Sequence, residues 1–264
     1  DYFKNNPDNI LMKKLKNDNL NREIVAAFLE KEEGYNNTII LLNHFDVVGV
    51  DDFGENKNLA FKPLQYTDKI MKGEITLPDQ ILAEINDGDF IFGRGVSDMK
   101  TGLALHLALL QYYSQNLDDL KGNILFLSVP DEEGSSMGAI NSIELLEDLK
   151  NANDLNYRTI INSEPISPNY PGDNNKYIYT GSAGKCVAFF YCIGKETHAT
   201  DVFAGLNSNL LGSRIMYLLE SNPDFCEKMG DLITSPPSCL KLSDYKETYS
   251  AKTPYKTVCY FNIP

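Results

Sequence analysis

Short, almost continuous apolar runs recur along the first two thirds of the chain. Because these runs lack the polar alternation of a half-exposed strand, they are typical of strands buried on both faces of a sheet. We predict such strands at 38–42, 90–92, 123–129 and 159–161. Later in the chain, two further runs predict strands at 187–193 and 258–263.

Longer segments with helical spacing lie between the first four runs. The segment 138–149 repeats its apolar residues at the period of a helix that packs on a core. Its predicted inward residues are Ile140, Ile143, Leu146 and Leu149. The leucine-rich stretch around His106 is apolar all round, which is typical of a buried helix, so we interpret His106 as a core residue. Alternating strands and helices predict an α/β fold with a mainly parallel sheet flanked by helices.

Three other segments complete the predicted secondary structure. The segment 23–30 is predicted to form an amphipathic helix, and the charged segment 51–87 is predicted to be an irregular loop. A last helix is predicted at 208–219. Its inward residues are Leu211, Ile215, Leu218 and Leu219.

Composition and charge narrow the class of protein. With 264 residues, 42% of them hydrophobic, the chain can form one large domain or two small ones, and we predict two. The formal net charge of −13 disfavours a nucleic-acid partner, whose phosphates require a basic surface. No apolar run approaches the length of a membrane-spanning helix. Five cysteines without a CxxC motif do not indicate a disulfide framework, so a cytoplasmic location is expected.

The run 90–92 gives way to a glycine-bracketed loop, 93–95, and Asp98 lies at the hinge between this loop and the leucine-rich helix. A carboxylate between two buried elements is costly unless a cation neutralises it. Glycines also let the backbone approach a small ligand closely. We interpret Asp98 as a metal ligand. Because aspartate is among the best helix N-caps, a capping role is the alternative that this stretch alone leaves open.

His44 and Asp46 follow the strand 38–42 and alternate with Phe45. In extended backbone, side chains two residues apart point to the same side. This arrangement is typical of a ligating histidine with a carboxylate that fixes its ring. A histidine that simply satisfies its own hydrogen bonds is the alternative.

Glu132 and Glu133 follow the strand 123–129 directly. Successive carboxylates are typical of a solvated acidic turn. They are equally suited to a metal site, in which one glutamate binds the ion while its neighbour acts as a general base toward a water molecule. Glu164 follows the strand 159–161 in the same way.

These polar residues share one position in the predicted fold, just beyond the carboxyl ends of parallel strands, where ligands gather in α/β sheets. They are His44, Asp98, Glu132, Glu133 and Glu164. Imidazole and carboxylate ligands without cysteine suit a catalytic Zn²⁺, or a similar divalent ion such as Mn²⁺ or Co²⁺. The sequence therefore predicts a metal site at this edge of the sheet.

Four motifs resemble those of a known family. They are HFDVV at 44–48, GRGVSDMKTGLA at 93–104, DEEGSS at 131–136 and NSEP at 162–165. Their order and spacing are similar to those of the di-zinc amidohydrolases and exopeptidases, which include aminoacylase, acetylornithine deacetylase, succinyl-diaminopimelate desuccinylase and glutamate carboxypeptidase. The most similar branch is the RocB-type arginine-utilization proteins, whose likeness extends through KYIYTGSAGK at 176–185 to the final CYFNIP.

The resemblance implies a set of metal ligands. Asp98 would bridge two zinc ions. His44 and Glu164 would complete the first site, and Glu133 would serve the second. The resemblance also implies a cis peptide bond after the bridging aspartate, between Asp98 and Met99.

The resemblance further implies catalytic roles and an activity. Glu132 would be the general base, and Asp46 would orient the His44 side of the site. The reaction would be hydrolysis of an amide bond in a small acylated amino acid or short peptide, in amino-acid or arginine catabolism.

By the same resemblance, 1–180 is a catalytic domain, and 181–264 is a smaller α+β lid and dimerisation domain inserted into it. His198 matches a lid histidine that reaches the active site of the partner subunit and binds the substrate carbonyl as negative charge develops. Gly205 and Asn207 match positions that help to place the substrate. Asn207 is equally well explained as a helix cap. A homodimer formed through the lid is the expected assembly.

The chain departs from the family in its histidines. The second zinc needs a histidine from the returning C-terminal part of the catalytic domain, whereas this chain has only His44, His106 and His198. We therefore expect the chain to be a fragment that lacks that part and is inactive alone. A non-catalytic, metal-stabilised binding protein on the same scaffold is one alternative. An aminopeptidase of the related clan, which would lack the lid, is another.

Overall fold

The structure is a computed structural model of the chain. It describes residues 2–32, 34–78, 81–82, 85, 90–168, 170, 172–181, 184, 186–230 and 232–263. The chain divides into two compact units, residues 1–175 and 176–264, and each is described here by itself. None of the helices described is long and apolar enough to cross a membrane.

The first unit is built on a five-stranded sheet in the order β1-β2-β4-β3-β5. Its strands are β1 (Ile10–Lys14), β2 (Glu23–Leu29), β3 (Asn37–His44), β4 (Asn123–Val129) and β5 (Asn156–Asn162). Strand β3 pairs in parallel with both β4 and β5, whereas β2 runs antiparallel to its neighbours β1 and β4. All strands except β2 therefore run in one direction, which confirms the predicted α/β fold with a mainly parallel sheet.

The helices of this unit precede the first strand or lie between strands along the chain. They are α1 (Tyr2–Asn5), α2 (Pro63–Met71), α3 (Gly102–Gln115) and α4 (Met137–Asn153). Helix α3 follows a wide turn, Val96–Thr101, in which Asp98 and Met99 leave helical backbone angles. Helix α4 begins just beyond the acidic turn that follows β4.

Successive residues of β4 divide between two hydrophobic clusters, one on each face of the sheet. Leu125 and Leu127 pack in the cluster that includes Leu145 of α4. Ile124 and Phe126 pack in the cluster that includes Leu110 of α3. Full burial of such a side chain contributes about 1.5–3 kcal/mol. The two clusters hold both helices against the central strands and so fix the positions at which their first turns begin.

Three predictions of secondary structure were wrong. Of the segment 23–30, residues Glu23–Leu29 form strand β2, because they lie between β1 and β4 and bury side chains on both faces of the sheet. The run 90–92 is not a strand. The segment 51–87 contains a 3₁₀ helix, Asp51–Leu59, and helix α2, while residues 79–80, 83–84 and 86–87 of that segment lie outside the described residues.

The predicted inward faces of the helices were partly wrong. On α4, Ile140 and Ile143 are exposed. Leu146 and Leu149 pack at the edge of the core, and the fully buried positions of α4 are Gly138, Ser142 and Leu145. The helix around His106 is not buried all round, since Leu105 and Leu107 are exposed. His106 itself is fully buried, as predicted.

The second unit contains a three-stranded antiparallel sheet in the order β6-β10-β9. Its strands are β6 (Cys186–Ile193), β9 (Ser238–Asp244) and β10 (Lys256–Ile263), and a short hairpin joins β7 (Lys228–Met229) to β8 (Leu232–Ile233). Helix α5 (Ser208–Leu219) packs on the larger sheet. The two predicted strands and the helix are confirmed, although Leu218 is largely exposed rather than inward.

Candidate metal centre

The carboxyl ends of three parallel strands meet at one edge of the first sheet. His44, the last residue of β3, pairs with Val129, the last residue of β4, and Leu42 pairs with Asn162 at the end of β5. The sequence motifs HFDVV, DEEGSS and NSEP begin at or near these ends. Sheet register alone therefore brings the three motifs together.

His44 is the centre of the cluster. Its side chain is buried, and its Nε2 atom lies 3.1 Å from Oδ1 of Asp98 and 3.7 Å from Oε1 of Glu164. Oε2 of Glu132 is 3.8 Å from the same nitrogen. The other ring nitrogen, Nδ1, lies 3.1 Å from the carbonyl oxygen of Asp46, to which only a protonated nitrogen can donate. In the neutral ring, this bond leaves Nε2 with the lone pair that a metal ion requires.

Asp46 acts on both sides of the site. Its carbonyl oxygen orients the His44 ring, and its carboxylate accepts the backbone N–H groups of Glu132 and Glu133, each at 3.1 Å. The His44 ring thus lies closer to the main chain of Asp46 than to its carboxylate, whose Oδ1 is 3.5 Å from His44 Nδ1. The orienting role of Asp46 stays a prediction. The contact to the acidic turn was not anticipated.

Asp98 reaches the cluster from the wide turn before α3. The Asp98–Met99 peptide bond is cis, as the family resemblance implied. Met99 is fully buried, and its sulfur accepts the backbone N–H of His44 at 3.1 Å. Asp98 is not the cap of α3, because Thr101 occupies the N-cap position. Its half-exposed carboxylate is turned toward His44 instead.

Gly95 allows this turn to lie close to the chain that follows β3. Its φ angle is +75°, a conformation that side chains rarely adopt. A Cβ atom at this position would lie 2.6 Å from Cγ1 of Val47. Lys100 adds a second tie, because its Nζ donates to the carbonyl oxygen of Phe45 at 2.8 Å.

The acidic turn after β4 is held by an ion pair that the sequence did not reveal. Arg22 donates to Oδ1 of Asp131 at 2.5 Å, and this guanidinium lowers the pKa of the Asp131 carboxyl. Asp131 has a φ of +69°, and its other oxygen accepts the backbone N–H of Met137 at the start of α4. The turn carrying Glu132 and Glu133 is therefore fixed at both ends.

Burial and like charges act on two of the carboxyl groups. Burial is the main cause of a raised pKa at Glu133, and the nearby Asp98 carboxylate adds to it. Burial also raises the pKa of Glu164, helped by Asp98 and Glu132 and opposed by His44. Each group would gain from a cation placed among them, because an opposite charge favours the ionised form.

The donor set fits a divalent metal ion. His44, Asp98 and Glu133 can each offer one ligand atom, and these three atoms lie within 4.8 Å of one another. One imidazole and two carboxylates are ligands that zinc and similar divalent ions accept. Glu164 is not part of this group of three, although its carboxylate is 3.7 Å from His44 and also accepts a hydrogen bond from Asn162.

Three of the predicted site residues belong to the second unit. Asn207 is the N-cap of α5, and its side chain accepts the backbone N–H of Asn209 at 2.9 Å. Gly205 is required by packing, since a Cβ atom there would lie 2.6 Å from the carbonyl oxygen of Lys195. His198 is exposed, and its Nδ1 lies 2.7 Å from Oγ1 of Thr200.

The sequence of this chain is similar to a known protein family and to individual known proteins. The family model described as peptidase family M20/M25/M40 matches residues 76–254. Two proteins of Bacillus subtilis (strain 168), YqjN and RocB, are each 38% identical to this chain over 99% of its length. The matched regions make up 47% of YqjN and 46% of RocB, so the chain spans about half the length of these relatives.

More distant relatives agree with this grouping. A succinyl-diaminopimelate desuccinylase of Psychrobacter sp. (strain PRwf-1) is 33% identical over 44% of this chain and 27% of its own length. Among solved structures, a putative aminohydrolase from methicillin-resistant Staphylococcus aureus superposes with a TM-score of 0.57 at 13% identity. That superposition covers 99% of this chain and 58% of the other, and at this identity it supports the fold alone.

Proposed function

Because this chain belongs to peptidase family M20/M25/M40, we propose that the protein is a metal-dependent hydrolase that cleaves the amide bond of a small acylated amino acid or short peptide. The observation that carries the proposal is the convergence of His44, Asp98 and Glu133. These residues come from three separate segments of the chain. Local structure alone does not require their side chains to meet.

The proposed ligand assignment is the one that the family resemblance implies. Asp98 would be shared between two ions, His44 and Glu164 would complete the first site, and Glu133 would serve the second. Zinc is the proposed metal, with Mn²⁺ or Co²⁺ as substitutes. When bound, a divalent ion of this kind polarises a scissile carbonyl and lowers the pKa of water.

Glu132 is the proposed general base. It is exposed at the edge of the cluster, and Asp46 fixes the backbone that carries it. In this position it can accept a proton from the attacking water and return it to the leaving amine, a role that typically contributes 10²–10⁴-fold to the rate. His198 of the second unit is proposed to donate to the substrate oxygen as charge develops. In the proposed homodimer, this histidine would serve the site of the partner subunit.

The names of the relatives support a class of substrate. Succinyl-diaminopimelate desuccinylase is named for removing an acyl group from an amino acid. The resemblance to arginine-utilization proteins makes nitrogen-rich amino-acid derivatives the first compounds to test. We propose catabolism of amino acids in the cytoplasm as the setting of this reaction.

The proposal is tested by metal analysis together with turnover of the full-length protein on a panel of acyl-amino acids and dipeptides. We expect stoichiometric divalent metal, and we expect Glu132→Ala to retain the metal while losing about 10²–10⁴-fold in kcat. Glu147→Ala, which removes an exposed glutamate of α4, is the matched control. Normal turnover by Glu132→Ala would remove this residue from the mechanism.

A second candidate function is a non-catalytic, metal-stabilised binding protein. The observation in its favour is that His44 is the one histidine of this chain found in the candidate metal centre, whereas the family's second metal needs another. His106 is buried within α3, and His198 belongs to the second unit. Metal that stabilises the full-length protein against unfolding, without turnover of any compound in the panel, would support this function over the hydrolase.

A further inference from the structure

A chain of hydrogen-bonded polar side chains lies inside the first unit, beneath the candidate metal centre. We refer to it as the buried network. Its members are Asn43 on β3, Ser128 on β4, His106 on α3 and Ser163 just after β5. Asn43, His106 and Ser128 are each at least 96% buried, and Ser163 is half-buried.

The hydrogen bonds of the network have one consistent direction. Oγ of Ser128 donates to Oδ1 of Asn43 at 2.6 Å, because an amide oxygen can only accept. The amide nitrogen of Asn43 therefore faces Nδ1 of His106, at 3.4 Å, and donates to it. With Nδ1 as the acceptor, Nε2 of His106 carries the proton and donates to Oγ of Ser163 at 2.9 Å. Burial lowers the pKa of His106, which agrees with a neutral ring.

Two members of the network are each bonded covalently to a proposed metal ligand. Asn43 precedes His44, and Ser163 precedes Glu164. Adjacent strand residues point to opposite faces of the sheet. Asn43 accordingly contacts α3, while His44 contacts the carboxylate cluster. His106 thus links the two strand ends from behind the site.

The contact between α3 and Ser163 is closely fitted. Gly102 lies one helical turn before His106 on the same face of α3, and a Cβ atom there would lie 2.1 Å from the carbonyl oxygen of Ser163. The helix therefore rests directly on the backbone that leads to Glu164. The pairing of β3 with β5 ends at Leu42 and Asn162, and the His106 imidazole bridges the next residues of the two segments, Asn43 and Ser163.

An apolar side chain would be the simpler choice for this position. Burying polar groups costs free energy that hydrogen bonds only offset, and replacing all partners with apolar groups can be neutral or stabilising. Buried polar networks that are satisfied do, however, specify one arrangement of the elements they join. The network is thus better suited to fixing the register of the strand ends than to stabilising the fold.

We propose that His106 is a positioning residue for the metal centre, which holds His44 and Glu164 at their separation through Asn43 and Ser163. This inference rests on the proposed function, since it requires these two residues to bind metal. It assigns His106 no contact with substrate or metal. Its effect is on the geometry and affinity of the site.

The test compares Co²⁺ binding and the Co²⁺ absorption spectrum of the full-length protein with those of His106→Leu. We expect His106→Leu to bind Co²⁺ about 10–100-fold more weakly, with an altered ligand-field spectrum, as is typical when residues that orient metal ligands are removed. We expect the unfolding temperature of the metal-free protein to fall, because the buried amide N–H of Asn43 loses its acceptor. His106→Gln, which retains an N–H donor toward Ser163, should recover part of the affinity.

Leu110→Ala is the matched control, because Leu110 is buried one turn further along the same face of α3. It should lower the unfolding temperature while leaving the Co²⁺ affinity and spectrum unchanged. If His106→Leu does not fold, Ser163→Ala removes only the acceptor of the His106 N–H and should also weaken Co²⁺ binding.

The possible failures are distinguishable. If the parent protein binds no Co²⁺, the proposed function fails and this inference fails with it. If the parent binds Co²⁺, and His106→Leu or, where that variant is unfolded, Ser163→Ala has the affinity and spectrum of the parent, only the positioning role is overturned.

Discussion

The two units use their motif residues differently. In the first unit, side chains from three separate segments surround the imidazole of His44, at distances between 3.1 and 3.8 Å for Asp98, Glu164 and Glu132. In the second unit, Asn207 caps its own helix and Gly205 makes room for a neighbouring backbone carbonyl. A local structural role explains the residues of the second unit. The acidic cluster of the first unit is an arrangement that a bound cation would stabilise.

The largest effect that would test this contrast is expected from Asp98→Asn. Loss of the shared carboxylate should reduce the affinity for Zn²⁺ or Co²⁺ by more than about 100-fold, because it removes charge and a ligand atom together. Metal content after dialysis measures the change. Asp148→Asn, which alters an exposed carboxylate of α4, should keep the metal content of the parent. Equal metal content in the two variants would show that the acidic cluster does not hold the ion.

A smaller effect is expected from Asp46→Asn. The amide can accept through one oxygen only, so one of the N–H groups of Glu132 and Glu133 loses its partner. We expect kcat to fall about 10–100-fold while the metal content is retained. Steady-state kinetics with a substrate from the panel, together with metal analysis, separates this result from loss of the ion. An unchanged kcat would mean that the turn holds its place without this carboxylate.

The smallest effect is expected from Asn207→Ala in the second unit. Loss of the cap should cost about 1 kcal/mol of stability, whereas Asn207→Asp should cost little, because both residues cap helices well. Neither change should alter metal content. Denaturant unfolding measures the first effect, and the KM of Asn207→Asp measures any contact with substrate. A raised KM in a variant of parental stability would give Asn207 a second role and weaken the contrast between the units.

The sequence predicted the strand ends well because their signal is local. The apolar runs that became β3, β4 and β5 each stop just before a polar motif, and a parallel sheet must gather such ends at one edge. The resemblance added the cis peptide bond at Asp98, which no pattern of polar and apolar residues could indicate. The roles proposed for the site residues remain predictions.

What the sequence missed depends on distant partners. Residues 23–30 have an apolar content compatible with a helix, and only the strands on either side make them β2. Arg22 and Asp131 are far apart in the chain, so the sequence alone does not indicate that they form an ion pair. Asn43 and Ser128 were visible as polar residues that follow the apolar runs of β3 and β4, and this signal could have indicated the buried network.

The register between β3 and β4 has a consequence for how such a protein tolerates insertions. Asn43 pairs with Ser128, and His44 pairs with Val129. The side chain of Asn43 therefore belongs to the buried network, whereas that of His44 belongs to the candidate metal centre. If this pairing slipped by one residue, the His44 imidazole would turn toward the interior and the Asn43 amide would turn toward the candidate metal centre. Lineages that gain or lose a single codon within this strand would therefore be expected to lose the histidine from the pocket at once, however well the remaining sequence is preserved.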